Sequence, residues 1–369
     1  MQHKVQRHTA AFTLIELLVV IAIIALLIGI LLPALGTARS VARSLVDQTQ
    51  IRSIAQSQAA YMSANDDAYS CITTTGWKGH VPRANAGDTL YTGNTTEVTP
   101  VTTSDFISPI MGEELGFAST RADRMAGILN GFADPAARAL NNELHGTAPD
   151  RDEFDVVAER DGFTQVSYLM PGAFASWGTA STGTFVPGQG LTGNDIERYR
   201  KLYGAAPMTW NGGPAGSVET PRGFRNKLFQ VGSSASTKII VADGTRFLDG
   251  NILDFDISTT SDIAIATFAS GTPQWKHNTA YGPDQLHGGS PLNLELSFRH
   301  PNQSLNAGFF DGHTENLKQK EVWTDMSKWA PSGSVAIDSG ISGLTEEAQN
   351  WVQNLKQGQL GGTSGYILP

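Results

Sequence analysis

The sequence predicts an α+β protein in which a long N-terminal membrane-spanning helix continues as an amphipathic stalk and packs on a loop-rich head with an antiparallel β-sheet. An apolar run at residues 17–35 predicts the membrane span. Apolar residues at helical spacing extend the helix to about residue 63. The 39 Gly and 17 Pro of the 369-residue chain, with short apolar stretches between loops after residue 65, predict a sheet with scattered helices.

Composition excludes several classes of protein. The net charge is −9 at pH 7 and the chain has no long basic tract, so we expect no binding to nucleic acid. Cys71 is the only cysteine, so an intrachain disulfide is excluded and an exported head must be stabilised by its core, by assembly or by a metal. The sequence contains no GxSxG or HExxH motif, so we expect no enzymatic activity and assign no catalytic residue.

The N-terminus has the features of a leader followed by a membrane span. Residues 1–11 are polar, with Lys4 and Arg7 and no acid. The apolar run at 17–35 is interrupted only by Gly29 and Pro33. As a helix it would be about 28 Å long, close to the thickness of the hydrocarbon core of a bilayer. A core helix of a soluble protein is rarely apolar on all faces for that length.

Glu16 is the unusual residue of this segment. An ionised carboxylate in the middle of a span costs about 2.5–3.5 kcal/mol, and less towards an end. The next basic residue along the chain is Arg39. We therefore expect another molecule to supply the positive partner of Glu16. Cleavage before Phe12 would create such a group, with the new α-amine at the first mature position and Glu16 at the fifth.

Ala11 followed by FTLIELLVVIAIIALL resembles the class III signal of type IV prepilins and type II secretion pseudopilins. The resemblance covers roughly residues 8–35. It implies that a membrane peptidase cuts between Ala11 and Phe12 on the cytoplasmic side and methylates the new amine. It also implies that Phe12 and Glu16 act in assembly and that Pro33 loosens the helix. Ala11 departs from the glycine that is usual in the family.

The resemblance also implies partners and a location. The partners are prepilin peptidase, other pilin-like subunits (self or minor pseudopilins), an inner-membrane assembly platform and membrane lipid. The protein would cross the inner membrane once, with its leader in the cytoplasm and its head in the periplasm, and enter a periplasmic or surface fibre. Two alternatives stay open: an ordinary secretory signal cleaved after Ala38, and a membrane anchor that is not processed.

These features divide the chain into a cleaved leader (1–11), a transmembrane and assembly helix (12–35), an amphipathic stalk (36–64) and an exported α+β head (65–369). The stalk is predicted from an apolar stripe that we expect to pack on the head. Its members are Leu35, Ala38, Ala42, Leu45, Ile51, Ala55 and Met62. Pro33 removes one backbone hydrogen bond, so we expect a bend or a local opening there.

The head is predicted from shorter patterns. Helical patterns occur in the segment that begins at residue 111, and the last of them covers 135–144. Another occurs at 345–357, where Thr345 is a candidate N-cap. Strands are predicted at 164–170, 238–242, 292–298 and 304–310. The Gly-rich segments 70–105 and 171–216 are predicted to be surface loops.

Asp311 and Gly312 predict a two-residue turn of type I′ between two strands. His300 precedes Asp311 by ten intervening residues. This arrangement resembles a C-terminal feature of large prepilin-like proteins, in which a His is followed by nine residues and Asp-Gly. The spacing here is one residue longer, and the segment 238–243 resembles the strand that precedes that hairpin.

Two binding motifs were weighed against simpler interpretations. Residues 188–193 match GxGxxG, but Pro187 precedes them and no strand or following acid supports a dinucleotide site, so a surface loop is expected. His287, His300 and His313 are spaced thirteen apart, without the close spacing that presents two metal ligands from one element. We expect no cofactor, with calcium as the alternative. The calcium candidates are Asp243, Asp254, Asp256 and Asp311, and solvated turn acids are the simpler interpretation.

The sequence thus predicts a structural pilin-like subunit of a type II secretion or type IV pilus-like fibre. The alternative is a membrane-anchored surface or periplasmic protein whose head binds a polymer or a substrate.

Overall fold

The computed structural model describes residues 14–71, 105–111, 118, 120–136, 140–141, 143–145, 150–175, 218–221, 224–245, 248–249, 252–257, 268–278, 280–284, 291–360 and 363–369. The helices within these ranges are α1 (Leu14–Ala64), α2 (Ser108–Met111), α3 (Arg121–Gly131), α4 (Arg151–Arg160), α5 (Gly172–Ala175), α6 (Leu228–Val231), α7 (Pro291–Ser297), α8 (Gln319–Thr324) and α9 (Glu346–Val352).

The strands are short and form several sheets. They are β1 (Leu140–Asn141), β2 (Glu143–His145), β3 (Phe163–Thr164), β4 (Tyr168–Pro171), β5 (Val218–Glu219), β6 (Ile239–Asp243), β7 (Leu248–Asp249), β8 (Ile252–Asp256), β9 (Ala269–Ser270), β10 (Ser304–Phe309), β11 (Thr314–Lys318), β12 (Val335–Ile337), β13 (Gln357–Leu360) and β14 (Thr363–Ile367). The predicted α+β fold, a long N-terminal helix on a head with antiparallel strands, is confirmed.

The central sheet has the strand order β11-β10-β6-β4-β9. The pairs within it are antiparallel except β4 with β9, which is parallel. Every residue of β6, β4 and β10 is buried, because the strands lie between α1 and the rest of the head. A second sheet, β13-β14-β12-β5, has a smaller core of its own near α9.

Helix α1 is continuous over 51 residues and includes Pro33. Its upper part packs on β10, where Gly308 permits a close approach: a Cβ atom there would lie 2.8 Å from Cγ2 of Ile51. The buried face of α1 comprises Ser44, Asp47, Ile51, Ile54, Ala55, Gln58 and Met62.

The predicted stripe of the stalk is therefore only partly right. Ile51, Ala55 and Met62 are buried as expected. The earlier members are exposed: Leu35 lies below Ser44, where the head first covers the helix, and Leu45 lies on another side of the helix from the buried Ser44 and Asp47. Three other residues of the buried face, Ser44, Asp47 and Gln58, are polar, so apolar periodicity did not predict their burial.

The predicted hairpin at Asp311 and Gly312 is present, but its turn differs from the prediction. Strands β10 and β11 are joined by a three-residue loop in which the Gly312 amide donates to the Phe309 carbonyl at 2.9 Å. Gly312 has φ +89°, whereas Asp311 is not among the residues with positive φ. The loop is thus a type I turn followed by a left-handed glycine, not a type I′ turn.

Other predictions for the head had mixed outcomes. The strands at 238–242 and 304–310 are confirmed as β6 and β10, and Thr345 caps α9 by accepting from the Ala348 amide. Two predictions are wrong: 292–298 lies mostly in helix α7, and the helix over 135–144 is replaced by strands β1 and β2. Most of 70–105 and 171–216 lies outside the described residues.

Candidate functional site: an exposed apolar helix and a buried charge cluster

The lower part of α1 has no cover from its own head. Every residue from 14 to 39 is exposed, and the large apolar side chains there range from 43% exposed at Val20 to 86% at Leu14. Within the described part of the chain, α1 is the one helix long and apolar enough to cross a membrane. Such a surface is stable only in lipid or against other protein.

Two of the predicted assembly residues, Glu16 and Pro33, lie in this part of α1. Glu16 is in the first turn of α1, where the helix dipole favours a negative charge. Pro33 lies inside the helix, and its carbonyl accepts a hydrogen bond from the Thr37 hydroxyl at 3.1 Å. Ala11 and Phe12 lie outside the described residues, so their predicted roles are not tested by the fold.

A second feature lies where the helix meets the head: a buried cluster of five charged side chains. Asp47 comes from α1, Asp243 ends β6, Asp134 follows α3, and Arg299 and His300 precede β10. The three Asp side chains have no exposure, and those of Arg299 and His300 are 3% and 1% exposed. We call these residues the charge cluster.

His300 is at the centre of the charge cluster. Its Nε2 lies 2.9 Å from Oδ2 of Asp243, 3.2 Å from Oδ2 of Asp47 and 3.4 Å from Oδ2 of Asp134. Arg299 lies beside the same carboxylates: Nη2 is 2.8 Å from Oδ1 of Asp243 and 4.0 Å from Oδ1 of Asp47, and Nε contacts Asp134. Two cationic side chains thus face three carboxyl groups.

Neutral donors complete the hydrogen bonding of the carboxylates. The Asn306 side chain donates to Asp47 at 2.7 Å, and the Asn306 amide donates to Asp243 at 2.6 Å. The Tyr168 hydroxyl donates to Asp47 at 2.7 Å. Asp47 therefore joins the stalk to β4, to β10 and to the segment before β10, and a charge buried in this way requires such partners.

Burial and neighbouring charges shift the pKa values of the cluster in different directions. Burial, with the negative charge of Asp47, raises the pKa of Asp243 to about 7 in spite of Arg299. Burial opposes the imidazolium of His300, but its hydrogen bonds to Asp243 and Asp47 prevail and raise its pKa to about 10. Burial likewise opposes ionisation of Asp47, but the hydrogen bond from His300 and the charge of Arg299 lower its pKa. Of the cluster members whose pKa is shifted, Asp243 has the value nearest to neutral pH.

The site residues predicted from the sequence do not include Asp47, Asp134 or Arg299. Asp47 had a recognisable signal, because it lies one turn before Ile51 on the face that packs on the head. A charged residue on such a face needs a buried partner. The partners lie far along the chain, at residues 134, 243 and 299–300, and local spacing does not connect them.

Of the predicted metal ligands whose side chains the structure describes, Asp243 and His300 lie together and the others lie apart from them. Asp243 and His300 are in the charge cluster, whereas Asp311 and His313 lie at the exposed turn after β10, where Asp311 is 2.5 Å from Nδ1 of His313. Asp254 and Asp256 lie in β8, and His287 and residues 188–193 lie outside the described residues. Asp47, Asp134, Asp243 and His300 have ligand atoms within 4.8 Å of one another, but Arg299 already supplies a cation to this group. The calcium hypothesis stays a prediction.

Comparison with known proteins bears on the N-terminus. The family model of the prokaryotic N-terminal methylation motif matches residues 6–32. No curated protein and no solved structure matches the chain. The matched segment includes Ala11, Phe12 and Glu16 and continues into the exposed half of α1. The chain thus carries the N-terminal methylation motif, the class III signal of prepilins and pseudopilins, at the start of a long apolar helix.

Proposed function

We propose that the protein is a structural pilin-like subunit, a pseudopilin, of a type II secretion or type IV pilus-like fibre. The observation that carries the proposal is the continuity of the methylation motif at 6–32 with a helix whose residues 14–39 are all exposed. A plain anchor would need the apolar helix but not the motif.

The exposed helix supports an assembly role on physical grounds. In the bilayer, lipid covers the apolar side chains of residues 14–35. A subunit that leaves the bilayer must cover the same surface in another way, and helices of neighbouring copies provide the apolar partner. Subunits related by the same rotation and rise would then form an open fibre. The charge cluster keeps each head fixed on its own stalk during this transfer.

Glu16 has a specific role in the proposal. Prepilin peptidase would cut between Ala11 and Phe12 and create a positive α-amine in the subunit that joins the fibre. Its charge would pair with the Glu16 carboxylate of a neighbouring copy and set the depth of one helix against the other. The pairing takes place in an apolar surrounding, where opposite charges attract more strongly than at a wet surface.

The proposal places the protein first in the inner membrane, with the leader in the cytoplasm and the head in the periplasm. Its partners are prepilin peptidase, an assembly platform in that membrane, and other pilin-like subunits. The methylation motif and the apolar helix α1 support these assignments.

Processing is tested by the mass and terminal sequence of the mature protein purified from cells that express a prepilin peptidase. We expect a chain that begins at Phe12 with a methylated amine. A chain that begins at Arg39 would show an ordinary secretory signal, and an intact Met1 would show an unprocessed anchor; both results contradict the proposal.

The assembly role is tested by Glu16→Gln, which keeps the shape of the side chain and removes its charge. We expect normal cleavage and membrane insertion but loss of fibres, because the attraction to the amine is gone. Glu295→Gln is the matched control, since Glu295 is an exposed acid of the head. Fibres are counted by electron microscopy. Normal fibres from Glu16→Gln would show that the carboxylate has no part in assembly.

A further inference from the structure

The exposed apolar surface of α1 extends beyond the length that a bilayer can cover. Val41, Leu45 and Val46 are 45%, 57% and 49% exposed. The run at 17–35 already spans about 28 Å, and Val41 lies about 9 Å further along the helix. These three side chains therefore lie outside the hydrocarbon core, where exposed apolar surface calls for a protein partner.

This part of the stalk faces away from its own head. Ser44 and Asp47 lie on the buried face, and Leu45 and Val46 lie on other sides of the helix. Arg39 and Arg43 belong to the same segment, and Asp47, the one acid between Glu16 and Asp66, is buried in the charge cluster. We call Arg39, Val41, Arg43, Leu45 and Val46 the stalk patch: an apolar surface bordered by positive charge.

A second copy could cover the stalk patch with its own stalk patch or with a surface of its head. The charges of these surfaces distinguish the two possibilities. Another stalk patch would bring Arg39 and Arg43 against the same residues, and like charges at an interface oppose association. A favourable partner has an apolar centre and an acidic border. Of the residues that the structure describes outside α1, Val156 and Phe229 are the large apolar side chains that are exposed.

Val156 has the acidic border. It is 60% exposed on α4, and Asp152, Glu153 and Glu159 are exposed one helical turn before or after it. None of these three acids forms an ion pair with a residue that the structure describes. The nearby Arg160 is already held by Asp123 and Asp161, each at 2.7 Å. The outer face of α4 thus combines one apolar side chain with three acids that have no ion-pair partner in the described part of the chain.

We propose that the outer face of α4 docks on the stalk patch of a neighbouring copy. The inference rests on the proposed fibre and adds to it a specific contact between the head of one subunit and the stalk of the next. The two surfaces differ, so the contact is heterologous and repeats without closing, as a fibre requires.

Cysteine cross-linking tests the contact in the full chain, expressed with its peptidase in membranes. Val46→Cys and Val156→Cys are introduced together, and a short bismaleimide is added. The native Cys71 is buried, and the wild type treated in the same way shows any cross-linking through it. We expect a ladder of cross-linked multimers from the double variant. Either single variant alone should stay monomeric, and the two single variants expressed together should give dimers without a ladder.

The outcomes separate this proposal from the fibre itself, because fibres are counted in the same cells. Fibres without a ladder would overturn the docking contact and leave the proposed function standing. Dimers from Val46→Cys alone would assign the stalk patch to a second stalk instead. No cross-link in any variant would overturn the docking contact and fit a stalk patch whose arginines bind lipid headgroups.

Charge reversal gives an independent test. Arg39→Glu with Arg43→Glu should lower the yield of the ladder at least about fivefold, because two attractions become repulsions. Adding Asp152→Lys and Glu159→Lys should restore it. Arg52→Glu is the matched control, since Arg52 is exposed on the same helix outside the stalk patch. Failure of the added lysines to restore the ladder would contradict the pairing.

Discussion

Replacing Arg299 with Met removes the cation that faces the carboxylates of the charge cluster and keeps most of the side chain's apolar length. Arg299 contacts Asp134 and Asp243 and lies 4.0 Å from Asp47, and its side chain is 3% exposed. It also donates to the carbonyls of Leu296 at 2.9 Å and Ser167 at 3.1 Å. The loss therefore leaves buried carboxylates with His300 as their one remaining cation within the cluster.

The expected cost depends on pH. Removing one partner of a buried ion pair destabilises a protein by about 3–5 kcal/mol. Burial raises the pKa of Asp243 to about 7, and the charge of Arg299 limits this rise. Without Arg299 the pKa of Asp243 should rise further, so a proton can replace the lost cation in acid. We expect a cost of about 3 kcal/mol at pH 6 and about 4 kcal/mol at pH 8.

The assay is urea unfolding of the full chain in detergent micelles, followed by tryptophan fluorescence at both pH values. Arg151→Met is the matched control, because the Arg151–Asp155 pair at 2.8 Å is 36% and 50% exposed. Exposed pairs of this kind contribute about 1 kcal/mol or less. Equal costs for the two variants, or a cost for Arg299→Met that shrinks as the pH rises, would refute the account of the charge cluster.

Two further predictions concern the head. The free energy of unfolding of the wild type should fall as the pH rises from 5 to 7, because the folded state keeps the proton of Asp243, with a pKa of about 7, while the unfolded state has released it. Asp243→Asn should flatten this slope. The series stops at pH 7 because two other groups act above it: the raised pKa of His300, about 10, lowers the free energy of unfolding further, and the lowered pKa of Lys238, about 8, acts with the opposite sign. Gly312→Val should destabilise the β10–β11 hairpin by about 1–3 kcal/mol, since φ is +89° at Gly312, whereas Asp311→Ala should have a smaller effect. Equal shifts of the urea midpoint for the two hairpin variants would contradict the turn geometry.

The sequence allowed prediction of elements with strong local patterns. Helix α1 follows from its apolar run, β6 and β10 from short apolar stretches, and the start of α9 from Thr345. Helix α7 was missed because its inward face is polar. Asn293 and Ser297 lie one turn apart and are fully buried, and the Ser297 hydroxyl accepts from the Thr245 amide at 3.2 Å. Apolar periodicity does not detect a polar face that is satisfied by distant partners.

The charge cluster shows a second reason for the limits of sequence reasoning. His300 was noted for its spacing from Asp311, but the two are not partners: His300 contacts Asp47, which lies 253 positions away in the sequence. The contact depends on the packing of α1 across β10. A single sequence contains no local signal for such a pairing.

The place where the head first touches its stalk has a mechanical consequence. Before Ser44, about 45 Å of α1 extends beyond the described part of the head, which packs on the other end of the helix. Tension along a fibre would reach each head first at Ser44 and, one turn further, at the charge cluster around Asp47. Asp47 contacts Tyr168 of β4, Asn306 of β10 and His300 before β10. Force on Asp47 would therefore be distributed over these three parts of the head. A head attached there by apolar contacts alone would begin to peel from its stalk at that point.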